Sequence, residues 1–341
     1  MTGSVASKWM SLVFLPAVFA IAAAAQPGDA SAAHTKSKLI SMPGATFTVD
    51  EKDLSRELDL IVYGDMRFTD PANTRDANPV ARKALIEKIA KEHPDAVQLT
   101  GDVPLAGGRT ADYAQYATET ESWRTGKLRV YPALGNHELA GTENKQAAIE
   151  NWWAAFPELR DRRWYSVQLG RRVYLLNLDS TSDITPGSEQ RRWIEDQVEH
   201  LNPKVQFVFI ALHHPPVADI ATLFAVDHNP RPNEISLRDY LSGVAKTVPA
   251  RFIVTAGHIH NYERFETDGV TYLVSGGGGA KPYPVERTPI DAYQSIDLPN
   301  FHYIKFSLRG KEMKATMYRL AYPITNPPVW EAKDKFTVKA R

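Results

Sequence analysis

From Leu58 onward the chain repeats one local pattern: a short run of β-branched or aromatic residues, then a polar loop carrying Gly, Asp, His or Pro. The runs fall at 58–63, 96–100, 129–134, 173–178, 205–212, 251–255, 270–275 and 303–308. Runs of that length, bounded by turn residues, read as short buried strands. Between several of them the apolar spacing becomes helical. Residues 80–92 put Val80, Ala84, Leu85, Ile89 and Ala90 on one face, and Ser188 is placed to cap a helix reaching about Leu201. Shorter helices are expected over 149–156 and 235–244. Strands alternating with helices predict an α/β layered fold, with the closely spaced later strands forming a more antiparallel part.

The polar residues sit immediately after the strand runs, where loops converge on a ligand in α/β architectures. In order they read Gly64-Asp65-Met66-Arg67, Gly101-Asp102, Gly135-Asn136-His137-Glu138, His213-His214-Pro215-Pro216 and Gly257-His258-Ile259-His260. Taken singly, each piece is commonplace. Gly-Asp is usually a turn, and a buried His is usually a hydrogen-bonded core residue. Together they deliver carboxylates, an amide and imidazoles from five strand ends, a donor set suited to zinc, iron or manganese rather than calcium. The chain contains no Cys, so thiolate sites and Cys nucleophiles are excluded.

Composition narrows the setting. The 341 residues permit one or two domains. Forty basic and forty acidic residues cancel, which argues against a dedicated nucleic-acid or anionic-membrane surface. Lys8 precedes an apolar run over 9–25, broken only by Ser11 and Pro16 and closing on Ala23-Ala24-Ala25. That pattern predicts a signal peptide over 1–25 and export to the periplasm or beyond, rather than a retained membrane anchor. Residues 26–57 are expected to be a linker with at most one edge strand near 45–49, 58–320 the catalytic domain, and 321–341 a C-terminal extension.

Asp65, Gly101-Asp102, Gly135-Asn136-His137-Glu138, the His213-x-Pro element and Gly257-His258-x-His260, in this order, resemble the calcineurin-like metallophosphoesterase superfamily. The stretch from Gly257 to Arg264, and the glycine run after Ser275, are most similar to its purple acid phosphatase branch. The resemblance implies a four-layer α/β/β/α sandwich with two metal ions (iron, zinc or manganese) at the strand ends. It implies Asp102 between the ions, Asn136, His213 and His258 completing one, Asp65 and His260 on the other, and His137 facing the substrate. Two ions so placed clamp a phosphoester and activate water, and a positioned imidazole acid adds ~10²–10⁴-fold. Phosphate esters, monoesters first, are the implied substrates, with diesters, nucleotides or binding without turnover as alternatives.

Two positions depart from the pattern. The family's Asp-x-His has Arg67 at the His position, and Leu105 stands where purple acid phosphatases supply a Tyr ligand. A guanidinium offers only donors and cannot ligate. At ~5 Å and an effective dielectric of ~20 it repels a dication by roughly 6–7 kcal/mol before screening. The expectation is that Arg67 turns outward to bind substrate phosphate as a bidentate fork; otherwise the first site is weak or empty. Gly276 to Gly279 are expected to form a tight turn rather than a phosphate nest. His93, His200, His228 and His302 are expected to be surface or core residues, and Glu263 with Arg264 a structural pair.

Overall fold

A computed structural model describes residues 44–221 and 228–341; the expected signal peptide and the linker up to 43 lie outside the described residues. The chain runs β1 (Phe47–Val49), β2 (Leu58–Tyr63), α1 (Pro79–Glu92), β3 (Ala96–Leu99), α2 (Thr110–Glu119), α3 (Glu121–Thr125), β4 (Val130–Pro132) and α4 (Lys145–Ala155). It continues through β5 (Tyr165–Leu169), β6 (Val173–Asn177), α5 (Glu189–Glu199), β7 (Phe207–Ala211), β8 (Ile220–Ala221) and α6 (Pro232–Val244). The last elements are β9 (Arg251–Ala256), β10 (Tyr262–Thr267), β11 (Val270–Ser275), β12 (Val285–Glu286), β13 (His302–Arg309), β14 (Glu312–Leu320) and β15 (Trp330–Lys339).

Two sheets carry the architecture: a seven-stranded one ordered β1-β5-β6-β7-β9-β11-β10 and a six-stranded one ordered β15-β14-β13-β2-β3-β4. The period-two alternation of each strand assigns its faces. In β7, Val208 and Ile210 pack with Ile194 and Val198 of α5 and Leu237 and Leu241 of α6. Phe207 and Phe209 point the other way, and Phe209 meets Phe306 of β13 edge-on, with ring centroids 4.9 Å apart. Such a pair adds ~0.5–1.5 kcal/mol beyond its buried area. On the far face of the six-stranded sheet, Tyr63 meets Trp123 of α3, whose indole N–H donates to the Ile86 carbonyl of α1 at 3.1 Å. The layers are therefore helix, sheet, sheet, helix, the four-layer α/β/β/α order expected from the sequence.

Several local details refine the sequence reading. Asn78 caps α1, and Pro79 opens it, which turns Val80 outward at 61% exposure; Ala81, Leu85, Ile86 and Ile89 make the buried face instead. The expected edge strand is β1, parallel to β5. Residues beyond 320 are part of the sandwich, because β15 pairs along the whole of β14. Glu263 and Arg264 are neighbours on one strand and face opposite sides, so they do not pair. Arg264 meets Asp334 of β15 at 2.8 Å, while Glu263 accepts the Asp219 N–H at 2.8 Å.

The parallel pairs β2/β3/β4 and β7/β9 matter most for the site. Parallel strands finish at the same end of a sheet, so the loops after Tyr63, Leu99, Pro132, Ala211 and Ala256 emerge together.

Candidate metal centre

The loops that emerge there are strained and tightly laced. Asp65 (φ 61°), Arg67 (48°), Asp102 (55°) and His258 (71°) all occupy the left-handed region, which costs an L residue ~1–3 kcal/mol each and persists only where the surroundings enforce it. The enforcement is visible: Asp65 N–H donates to the Gly101 carbonyl, Arg67 N–H to the Asp102 carbonyl, and Gly257 N–H to the His213 carbonyl, each at 3.0 Å. Gly135 is required by contact, since a Cβ there would stand 2.4 Å from Asp102 Oδ1. The glycine run is laced in the same way and is a packing strip, not a nest. Gly278 N–H donates to the Gly64 carbonyl, and a Cβ on Gly276 would meet the Ile259 carbonyl oxygen at 2.1 Å.

His213 is the hub. It is fully buried, and its Nδ1–H donates to the Thr100 carbonyl at 3.0 Å, which leaves the Nε2 lone pair facing the site. Around Nε2 stand Asn136 Oδ1 at 3.0 Å, Asp102 Oδ1 at 3.2 Å and His258 Nδ1 at 3.3 Å. Donors held ~2.0–2.2 Å from one ion lie ~3.0–3.4 Å from each other, and Nε2 stands at that spacing from each of its three neighbours; Asp65, Asp102 and His213 each bring a ligand atom within 4.8 Å of one another. Burial opposes a charge on Asp102, yet His213, His137 and Arg67 hold it well below the carboxylate range. Burial likewise opposes a charge on His213, and Asp102, with Asp65 and Glu138 behind it, raises that ring to about 9. His214 is no rival: its Nδ1 is engaged by Ser180 Oγ at 2.8 Å, and burial followed by the His213 charge lowers it to about 2.

Behind the hub, Glu138 accepts backbone N–H groups from Asp102, Val103 and Gly135. The fully buried carboxylate thereby ties the loop after β3 to the loop after β4 without facing the cleft.

The other half holds Asp65 and His260. His260 Nδ1–H donates to the Lys281 carbonyl at 2.8 Å, and its buried Nε2, 3.4 Å from Asp65 Oδ1, has no hydrogen-bond partner. An orphaned, oriented ring nitrogen beside a buried carboxylate suits a cation. Asp65 also accepts the His258 N–H, at 3.0 and 3.2 Å to its two oxygens. Arg67 does not turn outward. Its Nη2 stands 3.4 Å from Asp102 Oδ2, because the positive φ and the Arg82 Nη1 bond to its carbonyl at 3.2 Å aim the side chain inward.

A cleft of about 410 Å³ opens over both halves, lined by Arg67, Arg75, Asp76, Asn136, His137, His228, His258, His260, Lys281 and Tyr283. A larger cavity of about 570 Å³ beside α2 and α4 is walled by Tyr113, Tyr116 and Phe156 and has one carboxylate, Glu158, and no His in its lining. His137 Nδ1–H donates to the Leu105 carbonyl, so Nε2 is the atom left for a substrate. Its backbone N–H donates to Asp102 Oδ1 at 2.9 Å. Leu105 thus contributes a carbonyl rather than a side-chain ligand.

The calcineurin-like phosphoesterase model matches residues 58–276. The chain belongs to that family. A probable purple acid phosphatase 20 from Arabidopsis thaliana is 26% identical over 221 residues, covering 58% of this chain and 48% of that protein. This phosphoesterase therefore spans about half the length of the curated relative it matches. Its fold superposes on a purple acid phosphatase from yellow lupin (Lupinus luteus) seeds with a TM-score of 0.66 at 18% identity, covering 84% of this chain and 54% of the other. It also superposes on GAP50, the anchor in the inner membrane complex of Plasmodium, with a TM-score of 0.58 at 12% identity, covering 84% and 89% of the two chains. The match over residues 58–276 establishes the calcineurin-like phosphoesterase family, and the structural likenesses establish its fold.

The structure brings Asp65, Asp102, Asn136, His137, His213, His258 and His260 into one locus, and the sequence reading missed part of its rim. His228, expected at the surface or in the core, lines the cleft, its ring 4.8 Å from that of His258 and stacked on Tyr283 at 5.3 Å. Arg75, Asp76, Lys281 and Tyr283 had no distinguishing signal, since loops without a strand-end register brought them in. His93 and His302 are structural as expected: one caps α1, the other is buried against Ser275.

Proposed function

We propose that this phosphoesterase is exported and hydrolyses phosphate esters, monoesters in preference to diesters. The observation that carries the proposal is the convergence of Asp102, Asn136, His213 and His258 at the foot of a cleft lined by Arg67, Arg75 and Lys281 against one acid, Asp76. Zinc, iron or manganese held there supplies Lewis-acid chemistry toward phosphoryl oxygens and water. The cationic rim supplies attraction and orientation, and it favours a dianionic monoester over a singly charged diester. Arg67 offers donors to the phosphoryl group in the plane a guanidinium prefers.

His137 completes the set. Its Nδ1–H is committed to Leu105, so Nε2 is the atom that meets the ester oxygen. When the phosphorus–oxygen bond breaks, the Nε2 proton passes to the departing oxygen and a neutral alcohol leaves. Burial, against the pull of Asp102 and with the help of Arg67, keeps this ring below the ordinary His range, so the acid is most available at acidic pH. Export rests on the apolar run over 9–25 with its small-residue end. The test is a panel of aryl and alkyl monoesters, diesters and nucleotides, with metal content measured on the same sample. Monoester turnover should dominate and scale with bound metal. Faster diester turnover overturns the preference, and no turnover by metal-loaded protein overturns the enzyme reading.

A further inference from the structure

Asp102 divides its oxygens between two neighbourhoods. Oδ1 faces the four-donor cluster, accepting the His137 N–H at 2.9 Å with His213 Nε2 at 3.2 Å. Oδ2 faces Arg67 Nη2 at 3.4 Å. A carboxylate that serves two ions must offer electron density to each, and here the second oxygen is already met by a cation tethered to the chain.

The tether is built in. Arg67 is held at φ 48°, its N–H bonded to the Asp102 carbonyl at 3.0 Å and its side chain only 18% exposed. Yet the head group is loosely committed. Its Nε is buried without a partner, and the Nη2 contact is longer than a good charge-assisted bond of ~2.7–2.9 Å. Across the same space His260 presents its orphaned Nε2 beside Asp65. One half-site is thus oriented to receive an ion while a guanidinium occupies the charge it needs.

We propose that Arg67 competes with a metal ion for the Asp65–Asp102–His260 half of the centre, making it a low-affinity site that an anionic ligand in the cleft helps to open. The inference rests on the metal-dependent reading above. A phosphate group is a better bidentate partner for a guanidinium than one carboxylate oxygen at 3.4 Å, and Arg67 already lines the cleft. As the guanidinium moves toward phosphate, its repulsion of an incoming ion falls. Linkage then requires the ion and the anion to strengthen each other by the same factor.

Equilibrium dialysis and calorimetric titration of the full chain with Mn²⁺, with and without inorganic phosphate, test this independently of turnover. Wild type should bind one ion tightly and a second at least ~10²-fold more weakly. Arg67→Ala should tighten the second step ~10-fold or more, and phosphate should tighten that step more in wild type than in the variant. Arg67→Asn, which tolerates positive φ better than Ala, should behave the same way and guards against a folding defect. Two equal steps in wild type, or a second step indifferent to both substitutions, overturn the competition alone. No ion bound by wild type or variants overturns the metal reading and the inference together.

Discussion

The two halves of the centre use the same kinds of residue and differ in closure. On the His213 side, three donors stand 3.0–3.3 Å from the ring Nε2, and backbone bonds orient His213 and Asp102. On the Asp65 side, His260 is equally well oriented, but the remaining space is shared with Arg67. Donor identity alone does not make a site; the charge around it sets how readily an ion enters.

Removing the hub should have the largest effect. His213→Ala deletes the nitrogen on which the other donors converge, and turnover should fall by ~10³-fold or more with loss of the tightly bound ion, as metal analysis would show. His260→Ala should cost far less, ~10-fold, and leave the tight ion in place. Equal losses from the two substitutions would erase the distinction between the halves. His137→Ala should keep both metal steps and lower turnover of alkyl phosphates by ~10²–10⁴-fold, with a smaller loss on aryl phosphates whose oxygen departs without a proton.

Protonation distinguishes the halves further. His213 is raised to about 9, so below that pH an ion entering its side must displace a proton. Tight-ion affinity should therefore rise with pH up to about 9, with roughly one proton released per ion near neutrality, measurable by calorimetry in buffers of different ionisation enthalpy. An affinity independent of pH would contradict that assignment.

The smallest effect lies beneath the rim. Burial, and then Asp219, push Glu263 well above the carboxylate range. A raised folded-state value means the native protein holds a proton the unfolded chain has lost, so this group's contribution weakens as pH rises above the ordinary Glu value. Glu263→Gln keeps the acceptor for Asp219 N–H and removes that penalty. It should stabilise the protein by ~1 kcal/mol at neutral pH and less in acid, as read from denaturant unfolding.

Much of this was legible in the sequence, for definite reasons. Buried parallel strands such as β7 are continuous apolar runs, and their ends announced the loops. β14 was harder, because its inward residues Met313, Ala315 and Met317 are not β-branched and alternate with polar ones. The position of Arg67 was legible but its direction was not, since that depends on a positive φ set by hydrogen bonds to the Asp102 loop. His228 was missed because its approach to His258 and Tyr283 is purely tertiary.

The most direct test of unequal halves is anomalous diffraction from crystals of the full chain equilibrated with limiting Mn²⁺ in the absence of phosphate. A strong peak is expected among Asp102, Asn136, His213 and His258, and a weak one or none beside Asp65 and His260. Peaks of equal height, or a single peak on the Asp65 side, would contradict it.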